Sequence, residues 1–324
     1  MKPFESFITP QLERYIKHRV SLGYNGRNLR STLRPFDLYI KENAYDWNSF
    51  KPQFFLELRR KLNGESCTVN GVFSGVRNFF QFLVHLGHCP YNPLQDIPPL
   101  PVRIYFPFIF SPEKLEELLL SIKTRLSRTP ENDLKHASIY IAILLMAICG
   151  LRISEPLGIL LTHYRQNEGT IYIEKTKFQN DRLIPVPKSV LVEIEKYLTI
   201  RNSFIHEAKN PYLLVGQKQK SLSAHYIYSV FHQAVKDIGI DQARRKIANI
   251  TFGSPTAHSL RHSFAVNTLN RIQEQEKSIW DALPILAVYL GHRKVRSTTR
   301  YLTVIDAQYR QRLMDFYMLH WDEL

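Results

Sequence analysis

The sequence is poor in several things at once. Of its 324 residues only three are cysteine, at Cys67, Cys89 and Cys149. Three scattered thiols make neither a disulfide framework nor a paired Cys-x-x-Cys zinc site, so a reducing compartment is the simplest setting. Glycine supplies only 13 residues, which excludes collagen-like and glycine-rich low-complexity chains. The longest apolar run, Ile139 to Leu151, has 13 residues and stops at Arg152. A membrane span needs about 20 apolar residues, so this run reads as a buried helix and no membrane partner is expected. The opening residues, MKPFESFITPQL, lack the apolar stretch of a secretory signal. No GxxxxGK(S/T), HExxH or GxSxG motif occurs. A nucleotide-driven or zinc-dependent mechanism therefore has no support in the sequence, and neither a cofactor nor a metal is expected.

What is present describes an ordinary folded protein with an unusual charge. Hydrophobic residues make up 44% and aromatic residues 12%, too many for a disordered chain. The length suggests two domains. Lysine and arginine number 43 against 29 aspartate and glutamate, a net charge of +14 and a sequence pI near 9.6. An excess of that size points to a polyanionic partner, either nucleic acid or an anionic surface. It is spread along the chain: residues 1–100 carry 13 basic and 8 acidic side chains, a net of +5, and the remainder carries +9. Two basic domains suit a protein that embraces its partner.

Residues 9–88 read as four short helices. Thr9-Pro10 opens the first, with Leu12, Tyr15, Ile16 and Val20 at helical spacing. The others fall at about 28–42, with Pro35 bending it or marking its start, 51–62 and 68–86. Arg27, Arg30, Arg34, Arg59, Arg60 and Arg77 are spread among them, on solvated faces or on a face turned to a polyanion. Seven prolines between Pro90 and Pro112 then exclude a continuous helix or central strand. The domains expected are therefore 1–90, a linker at 91–110, and 111–324. The second domain reads as helices at about 111–127, 134–149, 188–201, 223–238, 259–274, 284–290 and 304–319. Two strands, 170–174 and 182–186, are joined by the turn KFQND.

Four stretches of that second domain carry candidate chemistry. In CGLRISEPLGIL, Arg152 follows the apolar helix and Glu155 lies three residues on; read locally, the pair is a structural salt bridge. In IEKTKFQNDRLIPVP, Lys177 sits at a hairpin tip, as an ordinary turn lysine would. In HSLRHSFA, His258 and Arg261 share a helix face at i, i+3, with His262 on another face. In LAVYLGHRKVRSTTRYLTV, His292 follows a helix end and Tyr301 comes nine residues later. Together these residues form one chemical outfit. Metal-free phosphoryl transfer needs cations on the phosphate oxygens, an acid, a base and a nucleophile that stores the bond. Arg152, Arg261, Lys177, His258, His292 and Tyr301 fill those roles.

GLRISE, KFQNDRLIPV, HSLRHSFA and LGH-x8-Y, in this order, resemble the catalytic boxes of the tyrosine recombinase (phage integrase) family. Arg152 to His258 is 106 residues, His258 to Arg261 three, Arg261 to His292 31 and His292 to Tyr301 nine. The likeness covers about 108–320; one departure is SPTAHSLRH, where the family has proline directly before the histidine. The resemblance implies a mainly α fold with a small β-sheet: a helical, SAM-like core-binding domain plus an α+β catalytic domain, forming a C-shaped clamp on DNA. It implies a Xer-like two-domain site-specific recombinase that breaks and rejoins DNA without ATP and exchanges strands through a Holliday junction; the alternatives are a topoisomerase-like nicking and rejoining enzyme using the same site and a non-catalytic DNA-binding protein that keeps the fold. Tyr301 would be the nucleophile, leaving a 3′-phosphotyrosine and a free 5′-hydroxyl. Arg152 and Arg261 would clamp the phosphate, and Lys177 would protonate the leaving oxygen, with Lys175 as its rival. His258 would act as acid/base near the tyrosine, His292 would hydrogen-bond the phosphate, and Glu155 would orient Arg152. The partners implied are double-stranded DNA with inverted-repeat sites and a homo-tetramer on that DNA, with room for a second recombinase or helper protein. The terminal helix, with Val304, Tyr309, Leu313, Phe316 and Met318-Leu319, would dock on a neighbour, the alternative being that it packs on its own domain. A cytoplasmic, nucleoid-associated location follows, in integration, transposition or resolution of a mobile element or replicon.

Overall fold

The computed structural model describes residues 2–44, 46–126, 133–174, 181–205, 210–216, 221–292 and 294–319, with Asp133 and residues 308–319 described by backbone course alone. The chain divides into two compact units, Met1–Ile104 and Tyr105–Leu324. The division falls within the proline-rich segment.

The first unit is helical: α1 (Thr9–Ser21), α2 (Gly26–Asn43), α3 (Pro52–Lys61) and α4 (Ser66–His85). Asn25 sets the start of α2, its side-chain oxygen accepting from Arg27 N at 3.0 Å and Asn28 N at 3.1 Å. The helix runs on through Pro35. Phe36, Phe55, Phe79 and Phe80 are fully buried and meet at ring distances such as 5.5 Å between Phe55 and Phe80. Buried Asp37 accepts from Glu5 N and Ser6 N at 3.0 Å, tying down the N-terminal segment.

Several arginines weighed as solvated or polyanion-facing are staples. Arg30 forms a two-pronged pair with Glu13. Arg34 bonds Glu5, Asp37 and the Pro3 carbonyl. Arg77 donates to Ile97 O at 2.7 Å and Arg59 to Pro98 O at 2.6 Å. Asn70 exchanges two 2.8 Å bonds with the Leu100 backbone. With Leu94 and Ile97 buried in this core, the proline-rich stretch up to Leu100 is strapped to the first unit.

The second unit begins within β1 (Ile104–Phe106) and continues with α5 (Pro112–Leu126) and α6 (Asp133–Ile148). Nearly every residue of α6 from Ile139 to Ala147 is buried, so this all-round apolar helix is the axis of the core. Next come α7 (Ser154–Gly158), β2 (Tyr164–Arg165), β3 (Thr170–Ile173) and β4 (Arg182–Pro185). These strands form an antiparallel sheet in the order β2-β3-β4, with Ile171 opposite Ile184 and Ile173 opposite Arg182. In β4, Arg182 and Ile184 face inward while Leu183 and Pro185 face out. The chain then forms α8 (Lys188–Phe204), α9 (Ala224–Asp237), β5 (Arg245–Ile247) and β6 (Ile250–Phe252). A second sheet has the order β1-β6-β5, and its three-residue strands were not foreseen from the sequence.

Three helices close the unit: α10 (Ala257–Glu274), α11 (Ile279–Tyr289) and α12 (Arg296–Leu319). They share a core of Ala265, Val266, Leu269, Leu283, Leu286, Leu290, Tyr301, Val304 and Ile305. The last helix begins eight residues before the expected 304, so Tyr301 lies on it. Val304 and Ile305 pack within their own unit, while the side chains of Tyr309, Leu313, Phe316, Met318 and Leu319 lie outside the described residues. The architecture is mainly α with two small sheets. No helix among the described residues is long and apolar enough to cross a membrane.

Candidate active site

Two helix ends build the site. The first is α6: Cys149 continues it by bonding back to Leu145 O, and Gly150 then takes φ +62°. That left-handed residue is favoured at a helix C-terminus. A Cβ on Gly150 would lie 2.4 Å from Phe264 Cδ1, so the site excludes a side chain on two grounds. The second is α11, which ends at Gly291 with φ +63°. His292 N donates back to Ala287 O and Gly291 N to Val288 O, both at 2.9 Å, in the paired pattern of a Schellman close.

Both ends turn their last carbonyls toward arginine. Arg261 donates to Gly150 O at 2.7 Å and to Leu290 O. Arg152 donates to Gly291 O at 3.0 Å, and Arg182 Nε to Tyr289 O at 2.7 Å. The carbonyls at a helix C-terminus lack intrahelical donors and carry partial negative charge. Here two helices lend that charge to three guanidinium groups. Among the described residues one carboxylate, Glu155, supplies formal neutralisation. It accepts from Arg152 N at 2.9 Å and Arg152 Nη1 at 2.8 Å, and from Arg182 Nη1 at 3.1 Å and Nη2 at 2.9 Å. Burial pushes the Glu155 carboxyl up, but the bonds and charge of Arg182, the Arg152 N–H and the Arg261 charge outweigh it and hold it below the usual range. Among the described residues these three guanidinium groups and one carboxylate sum to two positive charges, and the helix ends offset that only in part. A buried excess of this kind is costly.

The third element is α10. Thr256 and Ser259 cap it reciprocally, Ser259 N donating to Thr256 Oγ1 at 3.3 Å and Thr256 N to Ser259 Oγ at 3.1 Å. The cap fixes His258, Arg261 and His262 in the first turns. Arg261 is 1% exposed, and burial, then the neighbouring Arg152, lower it to about 10. It remains cationic at neutral pH. His258 reaches solvent at its rim. It is held below the ordinary imidazole range first by the surrounding protein, then by Arg261, Arg152 and Arg300.

Tyr301 lies 1% exposed on α12. Burial raises its phenol, against the pull of Arg261, Arg300 and Arg152. Its hydroxyl lies 3.3 Å from His262 Nδ1. His292 stacks over its ring at 6.4 Å between centroids. No hydrogen bond joins His258 to Tyr301; the His258 ring instead meets His262 edge-on at 4.5 Å.

The structure thus brings Arg152, Glu155, His258, Arg261, His292 and Tyr301 together. Lys177 and its rival Lys175 lie outside the described residues. Two neighbours were not assigned a role from the sequence. Arg182 shares Glu155 with Arg152; a charged residue in the inward register of a strand was its signal. His262 was placed on another face from its neighbours, yet it lies four residues after His258, one helical turn away, and it is the imidazole that reaches the tyrosine.

Known recombinase structures share this fold. Residues covering 95% of the chain match 84% of XerH site-specific recombinase in a post-cleavage complex with palindromic difH substrate, at TM-score 0.67 and 20% identity. A lambda integrase tetramer bound to a Holliday junction matches at TM-score 0.61 and 16% identity, over 89% of this chain and 77% of that one. The architecture is that of a tyrosine recombinase.

Sequence comparison gives the family. The integrase/recombinase y4rB of Sinorhizobium fredii is 31% identical over 303 residues, 90% of this chain and 91% of that protein. Tyrosine recombinase XerD of Rickettsia conorii is 24% identical over 266 residues, 80% and 78% of the two chains. The model of the phage integrase family matches residues 113–308. The chain belongs to the phage integrase family, the tyrosine-type site-specific DNA recombinases.

Proposed function

We propose that the protein cuts and reseals double-stranded DNA at inverted-repeat sites through a covalent 3′-phosphotyrosine, exchanging strands within a tetramer by way of a Holliday junction. The Tyr301 oxygen attacks the scissile phosphorus and loses its proton. The bond from phosphorus to the 5′ oxygen breaks, and that oxygen leaves with the electron pair and takes a proton. One phosphodiester is exchanged for another ester, so resealing needs no nucleotide cofactor. Arg152 and Arg261 hold the non-bridging oxygens, His292 adds a hydrogen bond, and His258 serves acid/base chemistry on the phosphate side. Lys177 protonates the 5′ oxygen. Glu155 and Arg182 position Arg152.

The observation that carries this reading is the uncompensated charge. Among the described residues Arg152, Arg182 and Arg261 meet a single carboxylate, and they are anchored by helix-end carbonyls beside a buried tyrosine. A preorganised cage with an excess of positive charge suits a phosphorane, whose negative charge grows in the transition state. The relatives named as recombinases agree with it.

The test is a nicked suicide substrate carrying the element's inverted repeats. The native protein should form an adduct that survives denaturation and is attached to the DNA 3′ end. Tyr301→Phe should form none while still shifting the DNA. An adduct persisting in that variant would overturn the assignment. No adduct with the native protein on its own repeats would favour a DNA-binding protein without the reaction.

A further inference from the structure

The hydroxyl of Tyr301 has one hydrogen-bond partner among the described residues, His262 Nδ1 at 3.3 Å. The other two imidazoles of the site are turned to other work. His292 Nδ1 is engaged with Thr298 Oγ1 at 2.8 Å, and its ring lies nearly parallel to the Tyr301 ring, 24° between planes. A ring so stacked does not aim a nitrogen at the hydroxyl. The His258 ring stands edge-on to His262 at 4.5 Å and is not bonded to the tyrosine. His262 itself is 6% exposed and meets the Tyr301 ring at 5.7 Å and 63° between planes.

We infer that His262 is a further catalytic residue: it orients the Tyr301 hydroxyl and accepts its proton as the bond to phosphorus forms, leaving His258 to the phosphate side. The inference rests on the strand-cleaving reading above. The balance is simple. The O–H bond of the phenol breaks and its proton passes to His262 Nδ1, while the phenol oxygen bonds to phosphorus and the 5′ oxygen departs. In resealing, the same proton returns to the departing phenolate oxygen.

The surroundings fix the protonation state that this role needs. Burial, then His258, Arg300, Arg261 and His292, lower His262 to about 3. The imidazole is therefore neutral at physiological pH, and the proposed role takes the tautomer with its hydrogen on Nε2, in which Nδ1 accepts. A base this weak does not ionise the tyrosine in the resting protein. It takes the proton only as negative charge builds on the phosphorane between the arginines and offsets the cationic field that keeps it neutral. Proton transfer is thereby tied to attack.

The experiment uses the full chain and single-turnover cleavage of the suicide substrate. Three proteins are compared, the native chain, His262→Phe and His262→Asn, each with tyrosine or the more acidic 2,3,5-trifluorotyrosine at 301. Phe fills similar space without an acceptor; Asn keeps an acceptor oxygen that holds a proton poorly. His262→Phe should slow cleavage about 10²-fold or more at unchanged DNA affinity. Asn should recover roughly tenfold of that through orientation alone, within the range of a positioned acceptor. Trifluorotyrosine should shrink the His262→Phe defect to a few-fold, because an already acidic phenol needs no base. Cleavage by His262→Phe within about threefold of native, or a defect the same for both phenols, would overturn the inference. Should the Phe variant fail to fold, the Asn variant with the two phenols makes the same comparison. Failure of the native protein to form any adduct would instead strike the cleavage reading itself.

Discussion

Thr298 Oγ1 lies 2.8 Å from Nδ1 of His292, binding the first turn of the Tyr301 helix to the residue that ends the previous one. Thr298 is fully buried, three residues ahead of Tyr301. With Nδ1 so engaged, Nε2 is the nitrogen that the proposed phosphate contact would use. Thr298→Val keeps the shape and removes the bond. Cleavage should fall about tenfold without loss of DNA affinity, since a hydrogen bond is worth about 0.5–1.5 kcal/mol and about 1.4 kcal/mol is tenfold in rate. Thr298→Ser should retain the native rate. Equal rates in the Val variant and the native protein would show that the contact orients nothing.

Glu155 is, among the described residues, the one carboxylate paired with both Arg152 and Arg182. Glu155→Gln removes the charge and leaves two guanidinium groups uncompensated. Breaking a buried ion pair from one side costs about 3–5 kcal/mol, and the midpoint of urea unfolding should drop accordingly. Arg182→Met, which removes one cation as well as its bonds, should partly rescue Glu155→Gln. Additive losses in the double variant would contradict the shared clamp.

Acid should loosen the second unit through its imidazoles. His262 is lowered to about 3 and His292 to about 4, from an ordinary 6.5. In each case burial is the main cause. The unfolded chain binds protons at these residues before the folded one does. Their contribution is therefore complete above about pH 6.5 and drains away as the pH falls toward the folded values. The expected slope is about 1.4 kcal/mol per pH unit for each imidazole. Urea midpoints between pH 7.5 and 5 would measure it, in a window above the carboxylate range. A flat profile in that window would remove the argument, and His292→Asn should reduce the slope by one proton.

Gly291 has φ +63°, and a Cβ there would come within 2.8 Å of Arg182 Nη1. Gly291→Ala should cost about 1–3 kcal/mol from the left-handed backbone and the crowding. It should also lower cleavage, because Gly291 O is a partner of Arg152. Thermal melting together with single-turnover cleavage would read both effects. A variant as stable and active as the native chain would mean that the arginine yields freely.

Much of this was legible in the sequence, for reasons that differ by element. The helices of the first unit announce themselves by apolar spacing, and α6 by an unbroken apolar run. The early start of α12 was hidden, because RSTTR reads as a polar connection. Burial of Thr298, Tyr301, Val304 and Ile305 along one face overrides the weak helix preference of its β-branched residues. Strands of three residues such as β5 and β6 are too short to show alternation. In the site, residue types and order pointed to Arg152, His258, Arg261, His292 and Tyr301. Which imidazole reaches the phenol was not legible, since it depends on how α10 and α12 rotate against each other. Nor could the sequence reveal that Gly150, Tyr289, Leu290 and Gly291 act through carbonyl oxygens, because every residue has one.

Cys149 sits where α6 gives way to the arginine turn, 1% exposed, with burial raising its thiol to about 12. A sulfur so placed is silent to alkylating reagents while the turn is closed. Cys67 is exposed and Cys89 half-buried, so both should label early and leave the third as a slow clock. The rate of that clock would time how often the floor beneath Arg152 breathes, and whether gripping a duplex stills it.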